Sequence, residues 1–154
     1  FAGGVANASV GGLQGMLDRL VGEITAQRGP RRPDPDLSLV VAEAATTSDE
    51  AKAVVARNFA RLLAHAEARE LPPIEERLQV KYQLSLNTER CSVAANKLLE
   101  ASGASGLYTT RHPYGRIVAD ITAARQHITN SVPLHARDWG QVMLGQPRRH
   151  DFML

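Results

Sequence analysis

Two clusters of helix breakers, Gly29-Pro30-Arg31-Arg32-Pro33-Asp34-Pro35 and Leu71-Pro72-Pro73, constrain this chain more than any other feature. Proline lacks a backbone donor and fixes φ, so no helix runs through either cluster. The stretches they separate are long, and each repeats its apolar residues at three- and four-residue steps, the period of one helical face. Strict alternation is sustained nowhere over a useful length, so no sheet is expected. The sequence therefore reads as all-α: an antiparallel bundle of four long helices with a short fifth helix near the C-terminus.

The first helix is expected from about Val5 to Gln27, with Val10, Leu13, Leu17, Leu20 and Ile24 inward and Asp18, Arg19 and Glu23 elsewhere. Its first half is rich in Gly and Ala, which propensity penalises but which lets another helix or a ligand come close. Asp36 is placed to cap a second helix from near Leu37 to about Arg69. Leu37, Val41, Ala44, Ala51, Val55, Leu62 and Ala66 are its inward positions, and Thr46-Thr47-Ser48 weakens its middle. A third helix spans Ile74 to about Ser102, favoured by Glu75 and Glu76 at the positive end of the macrodipole and closed by Gly103. Pro113 opens a fourth, to about Asn130, and a fifth runs from Leu134 to Leu144 before Gly145.

The 154 residues suffice for one domain. Eighteen basic against sixteen acidic residues leave a formal charge of +2 with no Lys/Arg stripe, so nucleic acid is not an expected partner. The single Cys91 has no internal disulfide partner and reads as a buried thiol. No window approaches the ~20 apolar residues of a membrane span, and no signal peptide is recognisable, so no membrane partner is expected and a cytoplasmic protein is. The chain opens at Phe1 without an initiator Met, which suits a segment of a longer polypeptide.

Chemical information concentrates in the fourth helix. With Arg116 at zero on a helical wheel, Asp120, His127 and Asn130 fall within roughly forty degrees of it. Beside this polar stripe lie Ile117, Ile121, Ala124 and Ile128, the natural core side. Such a stripe can line a ligand cavity at the edge of a core. Equally, Arg116 and Asp120 can be an exposed i,i+4 pair worth ~0.3 kcal/mol, with His127 and Asn130 as surface residues. His65, His135 and His150 have no partners at metal-ligand spacing, so no metal site is expected. His112 reads first as a neighbour of the helix start.

The run Ser102-Gly103-Ala104-Ser105-Gly106-Leu107-Tyr108, then His112-Pro113-Tyr114-Gly115-Arg116-Ile117 and Asp120-Ile121-Thr122-Ala123-Ala124-Arg125-Gln126-His127, resembles the C-terminal domain of acyl-CoA-dehydrogenase-like flavin monooxygenases. That group includes the oxygenase components of two-component p-hydroxyphenylacetate hydroxylases and related steroid, sulfur-heterocycle and amino-sugar N-oxygenases. Gly140-Gln141-Val142-Met143-Leu144-Gly145 is similar to the family's closing Gly-x-x-x-Leu-Gly. Two positions depart from the pattern: the family's Arg-Asp stands here as Ala119-Asp120, and its Leu-Gln as Tyr114-Gly115.

The resemblance implies a domain that follows a helical and a β-domain in a longer, usually tetrameric flavoprotein. It implies reduced flavin (FMN or FAD) as cofactor, a separate flavin reductase as partner, and a small organic substrate such as a phenol, a polycyclic ring or a sugar amine. Oxygen would be transferred through a flavin hydroperoxide. Arg116, with Asp120, becomes the expected cofactor contact, and His127 with Asn130 the expected hydrogen-bonding or acid/base pair. Acyl-CoA dehydrogenation on the same fold is the alternative. Many such enzymes carry a glutamate base after the third helix of this domain, and no glutamate follows Glu100 here. A non-catalytic oligomerisation module is the remaining alternative, suited by the Gly/Ala-rich first helix.

Overall fold

The computed structural model describes residues 2–26, 34–103, 106 and 113–146. Five α-helices occur among them: α1 Ala2–Ala26, α2 Pro35–Ala68, α3 Ile74–Ala101, α4 Tyr114–Arg125 and α5 Val132–Met143, with a single 3₁₀ turn, Ile128–Asn130, before α5. No strand is present among the described residues, in accord with the all-α expectation. The breaker residues 27–33, His112, His150 and residues 104–105 and 107–112 of the family-like run lie outside the described residues.

The start of α2 differs from expectation by two residues. Asp34, not Asp36, is the cap: its Oδ1 accepts from the backbone N–H of Asp36 and Leu37, both at 3.1 Å, with Pro35 at the first helical position. Thr46-Thr47-Ser48 does not interrupt α2, because Ser48 is buried and its Oγ donates across to Gln14 Oε1 of α1 at 2.8 Å. A hydroxyl bonded to a neighbouring helix does not compete for its own backbone. Of the expected inward positions of α2, Ala66 is exposed, whereas Asn58 is fully buried and donates to Gln83 Oε1 at 3.1 Å.

Cross-helix pairs fix the topology. Gln14 meets Ser48 and Lys52, so α1 and α2 are antiparallel. Glu43–Lys97 at 2.6 Å, Glu50–Arg90 at 3.3 Å and Arg61–Glu76 at 3.9 Å run α3 antiparallel to α2. Tyr114 of α4 reaches Glu23 near the end of α1, while Ile117 and Ile121 face Gly12 nearer its start. The result is an up-down-up-down four-helix bundle with α1 and α3 in contact along its middle, and α5 packed on the outer side of α3.

The core joins Val10, Leu13, Met16, Leu17 and Leu20 of α1 to Cys91, Ala94, Ala95 and Leu98 of α3, closed by Ala44 and Ala51 of α2 and by Tyr114, Val118 and Ile121 of α4. Each large side chain buried here contributes about 2 kcal/mol of transfer free energy. The alanines of α2 and α3 keep the helices close. At Gly12 a Cβ would sit 3.2 Å from Ile121 Cδ1, so this glycine lets α4 approach α1. No helix of the described residues is long and apolar enough to cross a membrane.

Candidate functional site

The fourth helix is shorter than its periodicity suggests. It ends at Arg125, and His127 adopts an extended conformation (φ −63°, ψ 138°) before the 3₁₀ turn. The expected single stripe of Arg116, Asp120, His127 and Asn130 is therefore not formed, and Ile128, expected in the core stripe, is 64% exposed. Instead there are two pairs at opposite ends of α4. At a rise of 1.5 Å per residue, about 13 Å of helix separates Arg116 from Arg125, and His127 lies beyond that end.

The first pair is an ion pair, Arg116 Nε to Asp120 Oδ2 at 3.7 Å, with side chains 80% and 70% exposed. At that exposure it adds little to stability. Asp120 is also the charged member of a groove of about 220 Å³ between α1 and α4, lined besides by Ala8, Ser9, Gly12, Ile117, Ile121 and Ala124. Small residues on α1 and isoleucines on α4 make its walls apolar.

The second pair closes the far end. The backbone N–H of His127 donates to the Ala124 carbonyl at 3.2 Å, which places His127 one turn beyond the last groove residue of α4. Its Nδ1 accepts the Thr129 backbone N–H at 3.3 Å and lies 2.8 Å from the Thr129 hydroxyl. An Nδ1 that accepts leaves the proton of the neutral ring on Nε2, an assignment made from hydrogen-bond geometry. Asn130 is buried: its Nδ2 donates to the Ala124 carbonyl at 2.7 Å, satisfying an end of α4, and its backbone N–H donates to the His127 carbonyl at 2.8 Å. Asn130 Oδ1 is buried without a hydrogen-bond partner.

Behind this turn lies a polar seam between α3 and α5 that sequence reasoning missed. Thr129 is 5% exposed and His135 of α5 is 2% exposed. His135 Nε2 donates to the Thr129 carbonyl at 2.9 Å, and His135 Nδ1 is buried with no partner. Burial holds the His135 pKa below its ordinary value; the Thr129 carbonyl and the Asp138 carboxylate oppose that shift, and the Lys81 ammonium reinforces it. The signal that could have exposed the turn is Ser131-Val132-Pro133, a cap and an early proline, since α5 begins at Val132, two residues before the expected Leu134.

Two other groups are shifted by burial. The Cys91 thiol is pushed up to about 11, with Arg90 opposing, which makes it an inert core side chain. The Tyr114 hydroxyl is pushed far up, first by burial and then by its 2.8 Å hydrogen bond to Glu23 Oε2. That bond ties the start of α4 to α1. Among the described residues no group of His, Cys, Asp and Glu is arranged to hold a metal.

A bundle of this topology, with an apolar groove beside its fourth helix and a histidine held at the helix end, agrees with a helical domain of the acyl-CoA dehydrogenase type, and the family match decides the class. Residues 3–132 match the family described as acyl-CoA dehydrogenase, C-terminal domain, and the chain belongs to that family. Among solved structures it is similar to the 3-HSA hydroxylase of Rhodococcus sp. RHA1, with 28% identity and a TM-score of 0.87 over 97% of this chain and 38% of that one. The HsaA monooxygenase from M. tuberculosis is 24% identical, with a TM-score of 0.78 over 94% of this chain and 37% of its own. XiaF from Streptomyces sp., in complex with FADH2 and glycerol, is 22% identical, with a TM-score of 0.83 over 97% of this chain and 39% of its own. At their identities the last two share the fold. The chain thus spans under two fifths of the length of these structures. No curated protein matches it.

Proposed function

We propose that this chain is the C-terminal helical domain of a flavin-dependent monooxygenase, preceded in the whole protein by a helical and a β-domain. The observation that carries the reading is the likeness to a hydroxylase over 97% of the chain at 28% identity. The substrate class is a small hydroxylated ring, and a separate reductase delivers the reduced flavin. Assembly into a homotetramer through this domain belongs to the same reading.

The residues present fit one wall of a flavin site. Gly12, where a Cβ would meet Ile121, leaves space beside the apolar groove; Arg116 offers a guanidinium near the start of α4, and His127 an Nε2–H donor just past its end. Bound reduced flavin would supply the electrons that activate O2. Arg116, oriented by Asp120, would hold a phosphate or ring oxygen of FMN or FAD. His127 would donate a hydrogen bond from Nε2–H to the substrate or to the oxygen being transferred and so hold it in place. Asn130 fixes the end of α4 through Ala124, and its Oδ1 is a further acceptor beside the turn. The apolar groove walls would exclude water.

Acyl-CoA dehydrogenation would require a carboxylate base, and after Glu100 the described carboxylates are Asp120, which pairs with Arg116, and Asp138, which is buried in α5. The test is to mix the full-length protein with reduced FMN or FAD, admit O2 and follow flavin absorbance by stopped flow. A slow, biphasic return to oxidised flavin is expected. Single-step reoxidation at the rate of free flavin would overturn the reading.

A further inference from the structure

Thr129 is the most heavily engaged residue of the turn after α4. Its backbone N–H and its hydroxyl both address His127 Nδ1, at 3.3 and 2.8 Å, while its carbonyl receives the His135 Nε2–H at 2.9 Å. The polar groups of one buried residue therefore engage two histidines on different elements, with the Ser85 hydroxyl of α3 a more distant donor to the same carbonyl at 3.5 Å. We propose that Thr129 is a positioning residue that sets the ring orientation and tautomer of His127, and that His135 holds Thr129 in place for it. The proposal rests on reading His127 as the hydrogen-bonding group of the site.

Three observations carry it. First, the backbone N–H of Thr129 can only donate, so it disfavours any form of His127 protonated at Nδ1. The hydroxyl adds the shorter contact and fixes the ring plane, since a ring rotated about its Cβ–Cγ bond would lose it. Second, His127 lies in extended backbone at the break between α4 and the 3₁₀ turn, outside the regular backbone of either. Thr129 supplies a restraint on the ring there.

Third, His135 is buried at a cost. Its Nδ1 has no partner, and Lys81 of α3 and Asp138 of α5 act on the ring with opposite signs. What this imidazole gains over an apolar side chain of similar size is the bond to the Thr129 carbonyl, which can only accept. That bond links the turn to α5, which packs on α3. The order of support is thus α3 to α5, α5 to Thr129, and Thr129 to His127, as in sites where a residue behind the reacting group orients it.

The test uses the full-length protein labelled with 15N-histidine, with Thr129→Val as the nearly isosteric variant that removes only the hydroxyl. Ring nitrogen shifts of His127, assigned by its loss in His127→Ala, report the tautomer directly. The parent and Thr129→Ser are expected to show only the Nε2-protonated form. Thr129→Val, which leaves only the longer 3.3 Å backbone contact at Nδ1, and His135→Leu are expected to show a mixture, and His135→Gln, which keeps a donor near the Nε2 position, to restore the single form. With reduced FAD and O2 as the probe, the slow phase of reoxidation should change about tenfold in Thr129→Val while the Kd for reduced FAD stays constant. A pure Nε2-protonated spectrum in Thr129→Val would overturn the proposal. A mixed spectrum together with unchanged reoxidation in His127→Ala would uphold Thr129 as the residue that sets the ring and sink the catalytic reading of His127 instead.

Discussion

The seam between α1 and α4 and the seam between α3 and α5 solve the same packing problem in opposite ways. Along α1/α4, Gly12 lies under Ile117 and Ile121, Val118 is buried, and the polar link is Tyr114 with Glu23. Along α3/α5 and the adjoining turn, Ser85, Thr129, Asn130, His135 and Asp138 are all buried, and Tyr82 meets Trp139 at 5.6 Å between ring centroids. Apolar packing tolerates small shifts because dispersion and burial have no direction. Buried hydrogen bonds tolerate almost none, since a misplaced donor loses its partner in a medium that offers no water. One seam can give a ligand room, and the other can hold a reacting side chain still.

The largest expected effect tests the apolar side. Leu98→Ala, at a fully buried position of the shared core, should lower stability by about 2–5 kcal/mol in urea unfolding. Gly12→Leu should cost about 1–3 kcal/mol, because its side chain must displace Ile117 and Ile121. A smaller loss would show that α4 can move away from α1, and that the groove is wider than it stands here.

On the polar side, His135→Leu should cost about 1 kcal/mol at neutral pH by leaving the Thr129 carbonyl without its close donor. The sign of its pH dependence follows from the lowered pKa. In the fold His135 resists protonation, so the unfolded chain takes up protons first, and the associated stability is present above the ordinary value of 6.5 and lost as pH falls below it. Unfolding curves of His135→Leu should therefore fall less steeply below that pH than those of the parent protein. Last, Arg116→Ala should change stability by only ~0.3 kcal/mol, since the pair is exposed. If Arg116 holds the flavin, the same variant should weaken binding of reduced FAD about tenfold.

These two seams were unequally legible in the sequence. Val10, Leu13, Leu17 and Leu20 announced the apolar side by their spacing, and all four are buried. Helix number and order followed from the breakers, because proline and glycine act locally. The end of α4 did not follow. Gln126 and His127 carry no breaker, and periodicity alone continues the helix to Asn130; what stops it is Thr129 bonding to the His127 ring and Asn130 reaching back to Ala124. Those are side-chain contacts formed only once the turn exists. His135 was invisible for a related reason: a lone histidine acquires its meaning from α3 and Thr129, which are distant or featureless in the sequence. For the candidate site, Arg116 with Asp120 could be read from i,i+4 spacing, whereas the extended backbone of His127 and its bond to Thr129 could not.

The central claim is that His127 is the acid/base or hydrogen-bonding group of an oxygen transfer. The most direct measurement is a single-turnover comparison of the full-length protein and its His127→Ala variant, starting from reduced FAD, O2 and a phenol that the parent protein hydroxylates, with unfolding curves recorded alongside. The account predicts a fall in product formation of about 10²–10⁴-fold with stability unchanged within about 0.5 kcal/mol. Equal product formation by the two proteins would contradict it.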